Sequence, residues 1–595
     1  MVYELGKSTE NRPIIMAVIS SRDNIDNIDY YKEILKKLSE PENINDTEAR
    51  DLAKNGKLFV MIGCSIHASE IGASQMSMEL AYRLARDNTN NINDILDNVV
   101  LLLVPSLNPD GLDIVVDWYN KNLNTPYEGS MLPWLYHKYV GHDINRDYFM
   151  FHLKETQVIS RALYKDWLPQ IFLSMHQMGS YGARLFIPPH YDPPNPNIDP
   201  ILIRETSLLG LSIAAYLDSD GKKGVLTNAL FPEWYPGYED SAPMMHNIIC
   251  LLSEAASVNI ASPVFIKPSE LRGGGRGFEK YQKQINFPNP WEGGWWKLRD
   301  IVDYELSTCM AILKTGAIQK QKFLENFYRM GKNAIIDGNT KPPYAFIIPE
   351  NQNDINTLVE MINILIKGGI KVNRAEEEFE VNNTKYPEGT YIIYLSQPYR
   401  SYIKTLLERQ KYPERVLYKG GPPEVPYDLS GWTLPLQMGI KTIKVDFKFN
   451  VKSKIIKKAE PVNIPVVPET NYGFLLNTEI NDTYKVINYL LKNGCDISRF
   501  LKPLKVQNKV LPPGTFLVLN KANTKKILTE ILNKTPVPVY SIESKPDLPL
   551  LHLNKPEIGI YAQWGGNIDE GWTRLLLEKY GFDFNIIRNN FPRKK

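Results

Sequence analysis

His67 and Glu70 stand three residues apart in the segment Gly63-Cys-Ser-Ile-His-Ala-Ser-Glu70, and His176 and Glu254 follow far downstream. Two imidazoles and a carboxylate make the three-donor set of a catalytic zinc, which keeps a fourth position open for water. His-x-x-Glu alone is a weak signal, because a single histidine is more often a hydrogen-bonded structural ring. Placement strengthens it. His67 lies just past the apolar run Leu58-Phe-Val-Met-Ile, His176 follows Ile171-Phe-Leu-Ser, and Glu254 ends Ile248-Ile-Cys-Leu-Leu-Ser. Short apolar runs of this kind read as buried strands, and in open α/β sheets ligand sites gather at the carboxyl ends of strands. A carboxylate at the end of such a strand has its pKa raised by burial, which suits a general base.

The surrounding elements follow from periodicity. Ala73, Met76, Leu80 and Leu84 recur at helical spacing, which puts Glu70 at or just before the start of an amphipathic helix ending near Arg86. Val99 to Val104 is a further buried strand, feeding the turn Asn108-Pro-Asp-Gly111, whose proline and glycine position neighbouring loops. Strands alternating with helices predict an α/β fold, with a mixed, mostly parallel sheet flanked by helices.

From Leu5 to about Leu313 the chain resembles the zinc carboxypeptidases, peptidase family M14, as a larger multidomain bacterial-type member. The motifs run in order: Gly-x-Ser-x-x-x-Arg-Pro at Gly6 to Pro13, His67-x-x-Glu70, Asn108-Pro-Asp-Gly111, Asp143-Ile-Asn145-Arg146, His176 and Glu254. The resemblance implies one zinc per chain held by His67, Glu70 and His176, with Glu254 as general base. It also implies that Asn145 and Arg146 hold the free terminal carboxylate of a substrate, a task for which a planar guanidinium is suited. Three departures stand beside it. Ser69 replaces the arginine of the familiar His-x-Arg-Glu, and Gln177-Met178 replaces Ser-Tyr after the second histidine. No clear counterpart exists for the arginine that stabilises the oxyanion; Lys138 is the catalytic candidate, with His137 and His142 as alternatives in the same interval. A tyrosine closing over substrate is Tyr238 or Tyr235, and Glu239 and Asp240 fall where the family lines its side-chain pocket, hinting at a basic terminal residue.

Composition sets limits. The chain has 595 residues, is 43% hydrophobic and 23% charged, and carries a net charge of +2. That balance gives no basic stripe for nucleic acid, and Arg593-Lys-Lys595 reads as a solvated tail. No apolar run approaches the roughly 20 residues of a membrane span. The N-terminus has no basic start, apolar core or small-residue cleavage site of a secretory signal, although relatives are often secreted or periplasmic, so the compartment stays open. It begins directly at the first strand, where the resemblance implies a preceding helix, as a start assigned too late or a trimmed chain would. Cys64, Cys250, Cys309 and Cys495 form no disulfide framework by spacing, and Cys64 and Cys250 fall inside apolar strands.

The catalytic unit is expected to span residues 1–335. Beyond it Tyr344-Ala-Phe-Ile-Ile, a helix through Ile362 and Leu365, Gly368-Gly-Ile-Lys-Val and Tyr386-Pro-Glu-Gly-Thr-Tyr-Ile-Ile-Tyr recur as Tyr472-Gly-Phe-Leu-Leu, a helix through Val486 and Leu490, Asn493-Gly-Cys-Asp-Ile and Leu511-Pro-Pro-Gly-Thr-Phe-Leu-Val-Leu. Two repeated α/β modules, 340–460 and 465–555, are therefore expected, the first carrying a Pro/Gly-rich connector around Gly420 and Tyr427. Residues 556–595 read as the start of a third α/β unit, similar to a truncated glutamine-amidotransferase-like domain. Arg272-Gly-Gly-Gly-Arg-Gly277 fails the spacing of a phosphate loop and reads as a flexible rim of the cleft. The tryptophans between Asn286 and Trp296 read as anchors of the domain junction.

The expected function is a zinc metallocarboxypeptidase acting on peptide or protein C-termini, without nucleic acid or a membrane span and with oligomeric state open. The alternatives are a zinc amidase or deacylase on acyl-amino acids or cell-wall peptides, which keeps metal and base and changes the pocket, and a catalytically weak protein that binds peptide termini.

Overall fold

The computed structural model of the chain describes residues 1–428, 431–460, 465–506 and 509–589. Leu429 and Ser430 of the connector and the Arg593–Lys595 tail lie outside them.

The strands β1 (Val2–Lys7), β2 (Pro13–Ile19), β3 (Leu58–Cys64), β4 (Val99–Val104), β5 (Ile171–Met178), β6 (Leu185–Phe186), β7 (Val225–Leu226) and β8 (Ile249–Ala256) form one sheet in the order β1-β2-β4-β3-β5-β8-β6-β7. The inner four, β4, β3, β5 and β8, pair in parallel. Every residue of β3 and β4 is buried, as expected of parallel strands covered on both faces, which read as continuous apolar runs rather than alternating ones. β1 and β2 add an antiparallel edge, and β6 runs antiparallel to β8.

A 43-residue helix, Leu298–Thr340, lies along the sheet against β3, β4 and β8 and against the helices Gly72–Arg86 and Pro200–Ser219. The Lys297 amide donates to Asp300 at 2.8 Å at its start, and Pro342 and Pro343, which cannot continue a helix, follow its end. Gly316 sets the close approach, since a Cβ there would lie 2.9 Å from the Leu58 side chain. The helix outruns the expected boundary at 335. Pro200–Ser219 is, by length and composition, apolar enough to cross a membrane, although polar residues interrupt it so that no continuous apolar run marks it in the sequence. It buries Leu202, Leu209, Ile213 and Leu217.

The two sequence repeats fold into five-stranded antiparallel sheets with the same strand order. The first runs Ile443–Val445, Ala345–Ile348, Tyr391–Tyr394, Val372–Ala375, Ser453–Ile456; the second runs Val539–Ile542, Gly473–Leu476, Phe516–Leu519, Ile497–Phe500, Leu550–His552. Their cores differ. Ile348, Leu358, Tyr402 and Trp432 of the first belong to the same continuous apolar cluster as the eight-stranded sheet, whereas Phe474, Val486, Leu490 and Val518 of the second form a cluster of their own. His246 seals the first contact: its Nε2 lies 2.8 Å from the Gly368 carbonyl, and its ring stacks on Tyr164 with centroids 3.7 Å apart. Finally, Ile558–Tyr561 and Phe584–Ile587 pair in parallel around the helix Ile568–Lys579, which docks beside the site: Trp572 donates to Asp143 at 3.0 Å and Tyr139 to Glu578 at 2.5 Å.

Candidate active site

The loop after β3 carries His67 and Glu70, β5 carries His176, and β8 carries Glu254 directly opposite His176 in the parallel register. Two early motifs hold the loop in place. The Asn108 carboxamide donates to the carbonyls of Ile66 (3.2 Å) and Tyr136 (3.1 Å) and accepts from the Gly111 amide (2.9 Å). A Cβ on Gly111 would lie 2.1 Å from the Tyr136 oxygen, so only glycine fits. Asp110 in turn accepts from Ser8 (2.6 Å), the Glu10 amide (2.8 Å) and Arg12 (3.0 Å), which joins the Gly6–Pro13 motif to the Asn108 turn.

His67 Nδ1 lies 2.9 Å from Glu70 Oε1, His176 Nδ1 lies 3.1 Å from Glu70 Oε2, and the two Nδ1 atoms face one another at 3.1 Å. Both Nε2 atoms have acceptors of their own: His67 Nε2 is 3.2 Å from the His142 carbonyl, and His176 Nε2 is 2.7 Å from Ser174 Oγ and 3.2 Å from Glu239. With the ring protons on Nε2, two lone pairs and a carboxylate converge on one point. A divalent cation satisfies that arrangement. The separations approach the roughly 3.3 Å between donors that bonds of about 2.0–2.1 Å at tetrahedral angles require, so the residues fit a zinc ion.

Burial opposes charge on Glu70, yet His67 and His176 hold its carboxyl well below the usual range. Burial likewise opposes charge on His176, but hydrogen bonds to Glu239 and Glu70 leave its pKa well above the ordinary value. Glu254 is pushed up to about 8 by burial, with His176 pulling it down and Glu70 raising it. A divalent cation at the three donors would draw it back toward neutrality.

Residues 1–166 match the family model of the zinc carboxypeptidases, peptidase family M14. Among solved structures, the chain is similar in part to a metallo-carboxypeptidase from Pseudomonas aeruginosa, at 15% identity over 54% of this chain and 65% of that one, with a TM-score of 0.34. It is similar to carboxypeptidase A from Helicoverpa armigera, at 16% identity over 55% of this chain and 68% of that one, with a TM-score of 0.31. A succinylglutamatedesuccinylase/aspartoacylase from Rhodobacter sphaeroides aligns at 15% identity over 41% of this chain and 53% of that one, with a TM-score of 0.23. Among curated proteins there is no match. The zinc carboxypeptidase match ends before His176 and Glu254, which the sheet, not the matched segment, brings to His67 and Glu70.

A cavity of about 50 Å³ faces the centre, lined among others by His142, Asn145, Arg146, Tyr238, Asp240, Glu254 and Tyr427. Asn145 turns its carboxamide toward the histidine side: its oxygen accepts from the Glu239 amide at 2.7 Å, and its nitrogen lies 3.5 Å from His176 Nε2. Arg146 stacks on Tyr238, 4.7 Å from the ring centroid. Of the three oxyanion candidates only His142 reaches the cavity, stacked on His67 with centroids 4.0 Å apart. Burial and the neighbouring His67 lower its pKa to about 3, leaving a neutral ring. Lys138 is a correction, because its ammonium lies 3.7 Å from Glu578 and over the Tyr139 ring, drawn outward by the docked helix. His137 is buried as a structural ring, accepting from the amides of Tyr139 and Val140.

Glu239 is a second correction. It is fully buried and does not line a side-chain pocket; it stands behind His176, accepting from Ser174 at 2.5 Å and from Tyr148 at 3.3 Å. Partners of this kind fix the ligating tautomer. Glu239→Gln is accordingly expected to weaken zinc affinity about 10–100-fold, measured by competition with a chromogenic chelator. Asp240 does reach the cavity, with burial and then Glu233 raising its pKa to about 7. Gln177, absent from the familiar pattern, donates its backbone N–H to Glu70 Oε2 at 3.1 Å, while its side-chain oxygen accepts from the Gly72 amide at 2.8 Å. Trp296 donates to the Ala256 carbonyl at 2.7 Å and so anchors the end of β8, not the domain junction.

A larger cleft of about 700 Å³ opens on the other side of Glu70 and His142. Leu132, Trp134, Met178, Val258 and Ile260 line it, together with Ile568 of the docked helix.

Proposed function

We propose that the chain is a zinc metallocarboxypeptidase that hydrolyses the terminal peptide bond of substrates with a free C-terminus. The observation that carries this reading is the convergence of His67 Nδ1, His176 Nδ1 and Glu70 with Glu254 opposite His176 on the adjoining strand. Zinc held by these donors supplies a water of lowered pKa and polarises the scissile carbonyl. Glu254 takes the proton from the attacking water and passes it to the leaving amine. His142 offers an N–H toward the developing oxyanion, in place of the arginine missing from the sequence. Arg146 holds the terminal carboxylate with Tyr238 beside it, Asn145 fixes the Glu239 backbone behind His176 by accepting from its amide, and the residues before the scissile bond lie in the larger apolar cleft.

A second reading has one observation in its favour. Arg146 is already paired with a carboxylate of the chain itself, Asp428, at 2.5 Å. A zinc amidase or deacylase on acyl-amino acids or cell-wall peptides would keep the same metal and base with a different demand on that arginine.

The test compares a peptide library bearing free C-termini with its C-terminally amidated twin, incubated with zinc-loaded protein and followed by mass spectrometry. Loss of single terminal residues from the free set alone is the expected result. Release of acyl groups from N-acylated amino acids, with neither library cleaved, would select the amidase.

A further inference from the structure

We infer that Asp428 is an internal carboxylate ligand of Arg146 and the residue that decides which carboxylates the site admits. The inference rests on the reading of Arg146 as the clamp for a terminal carboxylate. In this conformation that clamp is filled from the connector between the strands Tyr391–Tyr394 and Ile443–Val445. Asp428 Oδ2 lies 2.5 Å from Arg146 Nε and accepts from the Tyr238 hydroxyl at 2.9 Å. Arg146 also donates through Nη1 to the Asn145 carbonyl at 2.8 Å. A carboxylate arriving on the Nε side of the guanidinium therefore has to displace Asp428, whose Oδ2 already occupies that position as an ion pair. Tyr427 comes with it: its ring lines the small cavity, edge-on to Phe231 with centroids 5.7 Å apart.

Fixed contacts hold this strap. Upstream, Glu424 is clasped by Arg276 at 2.6 Å and by Arg415 at 2.8 Å, and Arg276 also donates to the Val425 carbonyl and lies over the Tyr427 ring. Arg276 belongs to the Arg272–Gly277 loop, so the glycine-rich run rejected as a phosphate loop holds the strap over the site. Downstream, buried Trp432 donates to the Thr405 carbonyl at 2.8 Å and packs edge-on against Trp234 and Tyr235, the latter donating to the Arg146 carbonyl. Asp428 itself has a φ of +64°, in the left-handed region that Asp and Asn tolerate best among residues other than glycine. Its carboxylate is thus delivered to Arg146 by a backbone pinned nearby on both sides.

A free carboxylate then binds in competition with Asp428, whereas a neutral terminus gains nothing from the removal of that charge. The test is calorimetric titration of the zinc-loaded full chain with N-acetyl-L-lysine and with N-acetyl-L-lysinamide. Asp428→Asn, whose backbone accepts the same φ, is compared with wild type, and Asp428→Gly removes any residual hydrogen bond to Arg146. Both variants are expected to bind the free acid about tenfold or more tightly than wild type, as removal of a close competing charge predicts, with the amide unchanged. Adding Arg146→Gln should abolish the gain. Equal affinity of wild type and both variants for the acid, an equal shift for the amide, or no measurable binding of the acid to either variant would overturn the inference. Because the readout is binding, a shift without peptide hydrolysis would sink the carboxypeptidase reading and leave this one standing.

Discussion

Glu254→Gln is expected to lower kcat/KM on free-C-terminal peptides by about 10²–10⁴-fold, the usual contribution of a positioned general base, while zinc content stays at the wild-type level. The substitution keeps the shape of the side chain at the end of β8 and removes only its capacity to take a proton. Metal retention follows because Glu254 lies outside the three-donor cluster of His67, Glu70 and His176. A second signature accompanies the loss of rate. In the metal-free protein Glu254 has its pKa raised from 4.5 to about 8, chiefly by burial. Between those values the folded chain keeps a proton that the unfolded chain releases, so this group's contribution to stability falls as pH rises through the window. Glu254→Gln should flatten that part of the stability profile, measured by denaturant unfolding in chelator. A variant with wild-type turnover would remove Glu254 from the chemistry.

His176→Ala should lose the metal. A structural zinc with four ligands binds with about 10–16 kcal/mol, so one ligand accounts for roughly 3 kcal/mol, about 100-fold in affinity. The effect here should be larger, because His176 also separates the two acidic sides of the site: Glu70 on its Nδ1 and Glu239 on its Nε2. Removing the ring leaves Glu70 with one imidazole, His67, and leaves buried Glu239 without its imidazole partner. Activity and zinc should disappear together, and added zinc at high concentration should restore only part of either. Turnover that persists in a variant shown to be metal-free would contradict the assignment.

What the sequence made legible is the part of the site that local pattern controls. His67, His176 and Glu254 each follow an apolar run long enough to be a buried strand, and parallel strands deliver their carboxyl ends to one edge, so four residues scattered over the first half of the chain meet without any long-range signal in the sequence. The Gly6–Pro13 and Asn108–Gly111 motifs were readable as turns, but not that Asp110 ties one to the other through Ser8 and Arg12. Other features are set by contacts between remote segments. Lys138 looked like a cation near the site, and it is drawn away by Glu578 of a helix that follows more than four hundred residues later. Glu239 differs from its neighbour Asp240 only in which way the backbone turns each side chain: one stands behind His176, the other faces the cavity. The strap is the extreme case. Neither Tyr427-Asp428 nor Arg272–Gly277 has a periodicity or composition that points to the other, and Glu424, Arg276 and Arg146 meet only when the connector is laid across the sheet. The repeats were visible as echoed strand and helix segments, whereas the shared core of the first repeat with the eight-stranded sheet depends on buried residues such as Trp432 and Tyr402 that no repeat pattern marks.

The most direct measurement is zinc-edge X-ray absorption on the purified full chain, with metal content determined on the same sample. One zinc per chain is expected, with two imidazole nitrogens at about 2.0–2.1 Å and light oxygen donors completing the shell, and with no sulfur in it, since Cys64 is the cysteine of β3 and lies buried short of the His67 loop. A chain that takes up no metal, or one whose zinc is bound through sulfur or a single imidazole, would contradict the centre on which the functional reading stands.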